Sequence, residues 1–430
     1  MKEEEGQRTL HFSTANAKAL GIKHFKRAEI IMHRRAYAII ITCFFTVSIA
    51  YSIRYSYGML LPEMLTDLNI SKTQAGTIYA VYFVIYTIFT PLLGTLSDLF
   101  NYRLLLSVFT ALLGLGALLM AVASGFAQAC LFFSLAGFGH AACWAPVASL
   151  VQKWVPDNKR GMALSFVTMG IGLGLPVWGI VLPMIVAAAD WRMGWAALGF
   201  FGLGVALLNA ILIRNPAAPD AAQATAMSRF GQIWPIYKAL IKQRPFWFIG
   251  TAYLLAGFNV LIPFTFLSVY ATEDLGLDYA VATRFVGIIA FFGIAGQLIL
   301  GTLSDSLGRI RVLILCSLIM GTACLGMIFF RSEWGLCAVA AFYGLGYGAI
   351  WPVYAAAASD FFRKDQTGSV VGLWTVYLGL GSIISPVICG WTIDQTGVYT
   401  SAFMMGIVSG ILAALVLIRL LRSDYLKTAG

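Results

Sequence analysis

The chain has 430 residues, 60% of them hydrophobic and 11% charged, with mean hydropathy +0.82 and formal net charge +10. Soluble domains carry about 25% charged residues, so the composition excludes an ordinary soluble protein and predicts an all-α polytopic membrane protein. The surplus of Lys and Arg is expected to label the cytoplasmic loops, and no nucleic-acid partner is expected.

A helix crosses the hydrocarbon core in about 20 residues. Apolar runs of that size fall at 36–61, 74–96, 104–123, 127–151, 161–187, 193–213, 246–271, 281–303, 312–330, 334–358, 368–391 and 398–421. The longest polar interruption splits these twelve spans six and six. The expected organisation is an N-terminal tail over 1–35, a six-helix bundle over 36–213, a linker over 214–245, a second bundle over 246–422 and a C-terminal tail over 423–430. No cleavable leader is read in the first residues, because the tail is polar and basic and the first apolar run is too long for one.

With the N-terminus inside, Lys72, Arg192 and Arg331 fall in outer loops and Arg54 and Arg284 within spans, leaving the other 24 of 29 Lys and Arg cytoplasmic. Both termini are therefore expected in the cytoplasm, with the chain in a bacterial inner membrane. Cys43, Cys130, Cys143, Cys316, Cys324, Cys337 and Cys389 all lie in apolar stretches without metal-ligand spacing. They read as small buried residues, so no metal site is expected. No GxxxxGK[ST] occurs, no nucleophile–base pattern stands out, and neither a cofactor nor an enzyme activity is expected.

The halves repeat. "GTLSD" occurs at 94–98 and at 301–305, an offset of 207, and the same offset pairs Gly137 with Gly344, Trp144 with Trp351 and Gly172 with Gly379. The paired spans share orientation, which predicts halves related by an axis along the membrane normal and a site between them near mid-membrane.

Arg54 is the costly residue. An Arg at a helix centre costs roughly 2.5–3.5 kcal/mol on insertion scales. It lies 18 residues after the expected inner end of span 1 and 8 before Pro62, too deep to reach the inner headgroups. It is expected to face a watery cavity and bind an anion, since a guanidinium stays charged and offers a planar fork. His140 is the other ionisable group near mid-membrane, able to carry a proton or hydrogen-bond a ligand. No Asp or Glu falls in mid-span, which argues against a cationic substrate. Tyr51, Tyr55, Trp144, Asn259, Tyr347, Trp351 and Tyr377 are the aromatic and amide candidates for the same cavity. Arg284, near the outer end of span 8, is expected to form an ion pair with the acidic 273–278 loop or to serve an outer gate.

Twelve spans, a basic central loop and a doubled G-x-x-x-D-x-x-G-R loop resemble the major facilitator superfamily of secondary transporters. The loop after span 8 carries Gly301, Asp305, Gly308 and Arg309. The loop after span 2 keeps Gly94 and Asp98, has Asn101 in the glycine's place and has its arginine displaced to Arg103. The resemblance implies that spans 1, 4, 7 and 10 line the cavity and that Gly94, Asp98, Arg103, Gly301, Asp305 and Arg309 act in gating at the cytoplasmic face. "YSIRYSYGMLLP" is similar to the first helix of organophosphate:phosphate exchangers and anion:cation symporters, where an arginine eight residues before a proline binds the substrate's anionic group. Phosphate exchangers carry a second, symmetry-related arginine, but Leu261 stands at that offset here. The charge count therefore favours a monoanion, most simply a small carboxylate, carried by a functional monomer with H+ as the expected coupling ion. "GMALSFVTMGIGLGLPVWG" in span 5 is similar to proton-coupled drug exporters and also to organophosphate exchangers. Those two activities, and a transporter-like sensor, are the alternatives.

Overall fold

The computed structural model describes residues 2–96, 101–156, 159–215, 237–363 and 366–422. Among the described residues, twelve helices are long and apolar enough to cross a membrane: span 1 Arg35–Asp67, span 2 Lys72–Gly94, span 3 Tyr102–Met120, span 4 Phe126–Trp154, span 5 Arg160–Ala188, span 6 Trp191–Leu212, span 7 Arg244–Glu273, span 8 Tyr279–Leu307, span 9 Arg309–Phe329, span 10 Glu333–Phe361, span 11 Thr367–Thr396 and span 12 Thr400–Arg422. Span 1 is the end of a longer helix, Lys2–Asp67, so the expected tail continues the first span as helix. Most of the expected linker, residues 216–236, and the expected C-terminal tail lie outside the described residues.

Short polar residues start the helices where the sequence turns from loop to apolar run. Asn101, Asp190, Asp278 and Ser332 each accept a backbone N–H of the first turn of spans 3, 6, 8 and 10, supplying a partner that the first turn lacks. Span 4 is interrupted at residues 141–144, between helices Phe126–His140 and Ala145–Trp154. Pro146 accounts for the break, because it has no N–H to give the preceding turn and its ring clashes there. The paired span 10 runs unbroken.

Spans 1–6 and 7–12 form two bundles. Span 3 packs on span 6 and span 9 on span 12, while span 2 meets span 11, span 5 meets span 8 and span 1 meets span 7 across the boundary. Large apolar side chains such as Phe200 and Leu298, more than 60% exposed, point outward from the bundles. In a lipid-embedded chain these are the hydrocarbon-facing groups.

An even number of spans puts both chain ends at one face. Among the described residues, the hydrogen bonds and ion pairs that join the halves lie at mid-membrane or at the opposite face. There, Asp394 at the end of span 11 accepts the backbone N–H of Lys72 at 3.0 Å and of Thr73 at 2.8 Å, and the Thr73 hydroxyl at 2.5 Å. The carboxylate of one half thus caps the first turn of a helix of the other. Lys72 Nζ reaches Glu273 at 2.7 Å, and the Tyr399 hydroxyl donates to the same carboxylate at 2.6 Å. Burial and the neighbouring Glu273 push the Tyr399 hydroxyl above the usual phenol range, so it remains a donor. The Tyr279 hydroxyl closes the other side by donating to Met59 O at 2.9 Å. Backbones touch between the halves as well: a Cβ on Gly58 would come within 1.9 Å of Phe264 O.

Candidate functional site

On the termini side of this seal a cavity of about 240 Å³ lies between the halves. It is lined from eight spans, 1, 2, 4, 5, 7, 8, 10 and 11, twice the number the resemblance implied. The repeat is visible in the wall itself, where Trp144 and Trp351, and Thr168 and Thr375, are partners at the offset of 207.

Arg54 sits at the closed end of this cavity, 2% exposed. Its guanidinium carbon lies 4.2 Å from the ring centre of Tyr86, 4.9 Å from Tyr51, 5.0 Å from Phe83, 5.6 Å from Tyr82 and 6.0 Å from Tyr55. Cation–π contacts are worth about 0.5–2 kcal/mol apiece, so two or three offset most of the roughly 2.5–3.5 kcal/mol cost of placing an Arg in a span. They supply no counter-charge. No ion pair to Arg54 is found among the described residues. A guanidinium has five N–H donors. The Nε donor reaches an oxygen, the Tyr82 hydroxyl, at a long 3.4 Å, while NH2 is buried and finds no acceptor. An unspent cationic donor on a cavity wall is the chemistry of an anion site.

Behind this aromatic box, His140 is fully buried and its Nδ1 lies 2.5 Å from the Tyr82 hydroxyl. Tyr82 thereby touches both Arg54 and His140. The rings of Tyr51 and Tyr86 meet His140 edge-on at 4.9 and 5.1 Å. His140 is thus one side chain removed from the cavity wall. It ends the first helix of broken span 4, and Trp144, across the break, lines the cavity.

Among the other expected residues, Tyr51, Tyr55 and Trp351 line the cavity. Tyr55 stacks on Phe264 at 4.1 Å, and its hydroxyl receives the Tyr347 hydroxyl at 3.4 Å, so Tyr347 stands behind the wall and links the halves. Two more of the expected residues lie off the cavity wall. Asn259 does not line the cavity: its amide donates to Gly406 O and Ser409 Oγ and accepts the Tyr343 hydroxyl, tying span 7 to spans 10 and 12. Its helical position turns it into the bundle, one residue short of the facing Val260 and Leu261. Tyr377 packs instead against Phe246 and Trp247 near the termini face.

The doubled loop is partly described. Asp98 lies outside the described residues. Gly94 packs close to Ala145, and Arg103 donates to Ala210 O inside its own half. Arg309 pairs with Asp305 at 2.5 Å and with Asp360 at 3.4 Å, holding span 8 to span 10 within the second half. A Cβ on Gly301 would meet nothing. The described members of the motif therefore bridge within a half in this arrangement. Arg284 is exposed on span 8, and no ion pair to it is found among the described residues; Asp274 pairs with Arg331 instead.

Tyr82, Phe83 and Tyr86 are the residues missed by sequence reasoning. The signal was present as Tyr79, Tyr82, Phe83 and Tyr86 at helical i, i+3, i+4, i+7 spacing in span 2, a stripe that faces span 1. Tyr253, Thr168, Gln297 and Thr375 were missed as well.

Two pseudo-symmetric six-helix bundles around a mid-membrane cavity, with the charge in one wall, define the fold and site of a secondary membrane carrier. The Major Facilitator Superfamily model matches residues 43–332 and 288–429, and the chain belongs to this family. Membership places it among integral membrane transport proteins rather than enzymes. It is 26% identical to the hexuronate transporter of Bacillus subtilis (strain 168), over 91% of this chain and 96% of that one. It is 24% identical to the probable sulfoacetate transporter SauU of Cupriavidus necator, over 83% and 87%, and 22% identical to the membrane sensor protein UhpC of Salmonella typhimurium, over 89% of each. Among solved structures, the nucleoside transporter NupG (D323A mutant) superposes with a TM-score of 0.77 at 11% identity, covering 89% of this chain and all of that one.

Proposed function

We propose that this chain carries a small organic monoanion, most simply a carboxylate, across the membrane by alternating access, with Arg54 as the anion-binding group. The observation that carries the reading is the buried guanidinium of Arg54, boxed by aromatic rings on a cavity wall, with NH2 unpartnered and no ion pair among the described residues. A bound carboxylate supplies the missing counter-charge and takes the fork in a bidentate pair. Leu261 lines the cavity at the repeat position of Arg54, which speaks against the two-arginine clamp of a phosphate exchanger and for a single negative charge. The names of the hexuronate and sulfoacetate transporters support an organic anion.

The charge asymmetry of the loops supports cytoplasmic termini, and the bacterial relatives support an inner membrane. On that orientation the arrangement described is closed outside, with its cavity toward the cytoplasm. The coupling ion is H+, carried by His140: Tyr82 joins His140 to Arg54, and an anion on Arg54 lowers the cost of a second positive charge beside it. The protein works as a monomer.

The test is binding and counterflow with purified protein in vesicles. Wild type binds and exchanges a labelled six-carbon monocarboxylate. Arg54→Ala loses binding, and Arg54→Lys, with charge but no fork, weakens it by tenfold or more, on the order of a lost charge-assisted pair. Wild-type transport by Arg54→Ala would sink the assignment. Equal pH dependence in His140→Gln and wild type would remove His140 from coupling. The similarity to a membrane sensor supports one other reading, ligand binding without net flux; binding with no counterflow would select it.

A further inference from the structure

The amides placed inside the spans are not used alike. Asn209 is fully buried and spent: its Oδ1 accepts the Thr46 hydroxyl at 2.9 Å, and Nδ2 donates to Thr110 Oγ1 at 3.1 Å and Leu106 O at 3.4 Å. Asn259 is spent in the same way on spans 10 and 12. Gln297 of span 8 is used differently from these two. It is half-buried, it lines the Arg54 cavity, and its amide has no hydrogen-bond partner among the described residues. Half-buried on the wall, the amide is open to the cavity and can meet a polar group of a ligand there.

Among the described residues, the wall opposite Arg54 carries no charge. Besides Leu261 it presents Tyr253, Gln297, Trp351, Thr375 and Ser382. The repeat partner of Gln297 is Thr90, whose hydroxyl is already given to Tyr86 O at 2.7 Å. The amide is thus a feature of the second half alone, as the guanidinium is of the first.

The separation suits one small molecule. Leu261, the repeat partner of Arg54, lies 17 residues from the termini-side start of span 7, and Gln297 lies 10 residues from the termini-side end of span 8. At about 1.5 Å per residue, the two levels differ by on the order of 10 Å. Both side chains line the one cavity, from opposite halves.

We infer that Gln297 is a specificity-determining residue: it hydrogen-bonds the uncharged, oxygen-bearing end of the monoanion held by Arg54. The favoured substrates are then hydroxy- or keto-monocarboxylates. An alkanoate leaves the amide unpaired, and a dicarboxylate brings a second charge to a wall with no cation. This inference rests on the anion-carrier reading above and deepens it.

The experiment measures affinities of purified wild type, Gln297→Leu and Gln297→Lys for three six-carbon probes: glucuronate (hydroxylated monocarboxylate), hexanoate (no hydroxyl) and glucarate (hydroxylated dicarboxylate). Wild type prefers glucuronate over each of the others by about tenfold or more, the scale of one unmade hydrogen bond to a buried polar group. In Gln297→Leu the glucuronate:hexanoate ratio collapses toward unity. In Gln297→Lys the glucuronate:glucarate ratio inverts, because the second cation now exists. Ratios unchanged from wild type in both variants would overturn the role of Gln297 while leaving the carrier reading intact. Failure of wild type to bind any probe, or binding that survives Arg54→Ala, would overturn the carrier reading, and this inference with it.

Discussion

Removing the Asp394 carboxylate should unlatch the face opposite the termini. Asp394 accepts two backbone N–H groups and one hydroxyl from the first turn of span 2, all across the boundary between the halves. Losing an N-cap costs about 1 kcal/mol, within a range of about 0.5–2. A hydrogen bond to a charged group contributes about 1.5–3 kcal/mol at best, and exposure here reduces it. A net loss of about 1–2 kcal/mol is therefore expected for Asp394→Ala. That corresponds to a shift of roughly 5–30-fold in the ratio of sealed to open protein. Asp394→Asn, which keeps one acceptor oxygen, should fall between. Spin labels at Asn69 and Val398, in the loops that flank this seal, report the distance directly; the half-buried Cys130 and Cys337 are first replaced by serine. The wild-type distribution should be dominated by the short distance, and Asp394→Ala should gain a long component. An unchanged distribution in Asp394→Ala would show that the cap carries no weight in the equilibrium.

Two further outcomes follow from the packing. Gly58→Ala places a methyl group against Phe264 O at the boundary, so the same spin-label pair should report loss of the short distance; an unaltered distribution would refute backbone contact as part of the seal. Asn259→Ala leaves the Tyr343 hydroxyl and the Ser409 and Gly406 acceptors without their shared partner, and should lower stability by about 1–2 kcal/mol, the upper part of the range for polar bonds between membrane helices. A melting curve checks this. Probe affinity per folded protein should stay within about threefold, because the side chain lies outside the cavity.

Twelve spans, the duplication and the isolated arginine were legible because each has a strong signal: twenty-residue apolar runs, one constant offset, and a charge where hydrocarbon forbids one. The wall around Arg54 was only half legible. Tyr51 and Tyr55 were found by closeness in sequence, while Tyr82, Phe83 and Tyr86 come from a different span, and only inter-helix packing brings them to the guanidinium. Asn259 and Gln297 show the limit from the other side. Both are amides within spans, and composition treats them alike. A one-residue rotation away from Val260 and Leu261 turns Asn259 into the bundle, whereas Gln297 faces the cavity. The break in span 4 was written in Pro146, yet Pro352 and Pro386 sit in helices that run on, so proline alone did not announce it.

The aromatic box around Arg54 also has an entropic side. A free arginine surrenders about 2 kcal/mol of rotamer freedom when it is fixed. Here five rings have fixed it before any ligand arrives, so little of that cost falls on the binding step. The proposed substrate, a molecule with a single carboxylate and a handful of atoms, would therefore be held with little of that cost. The same rigidity fixes where the ligand travels. A guanidinium clamped by spans 1 and 2 moves as part of the first half, so under the proposed function an anion on Arg54 rides with that half while the other swings past it.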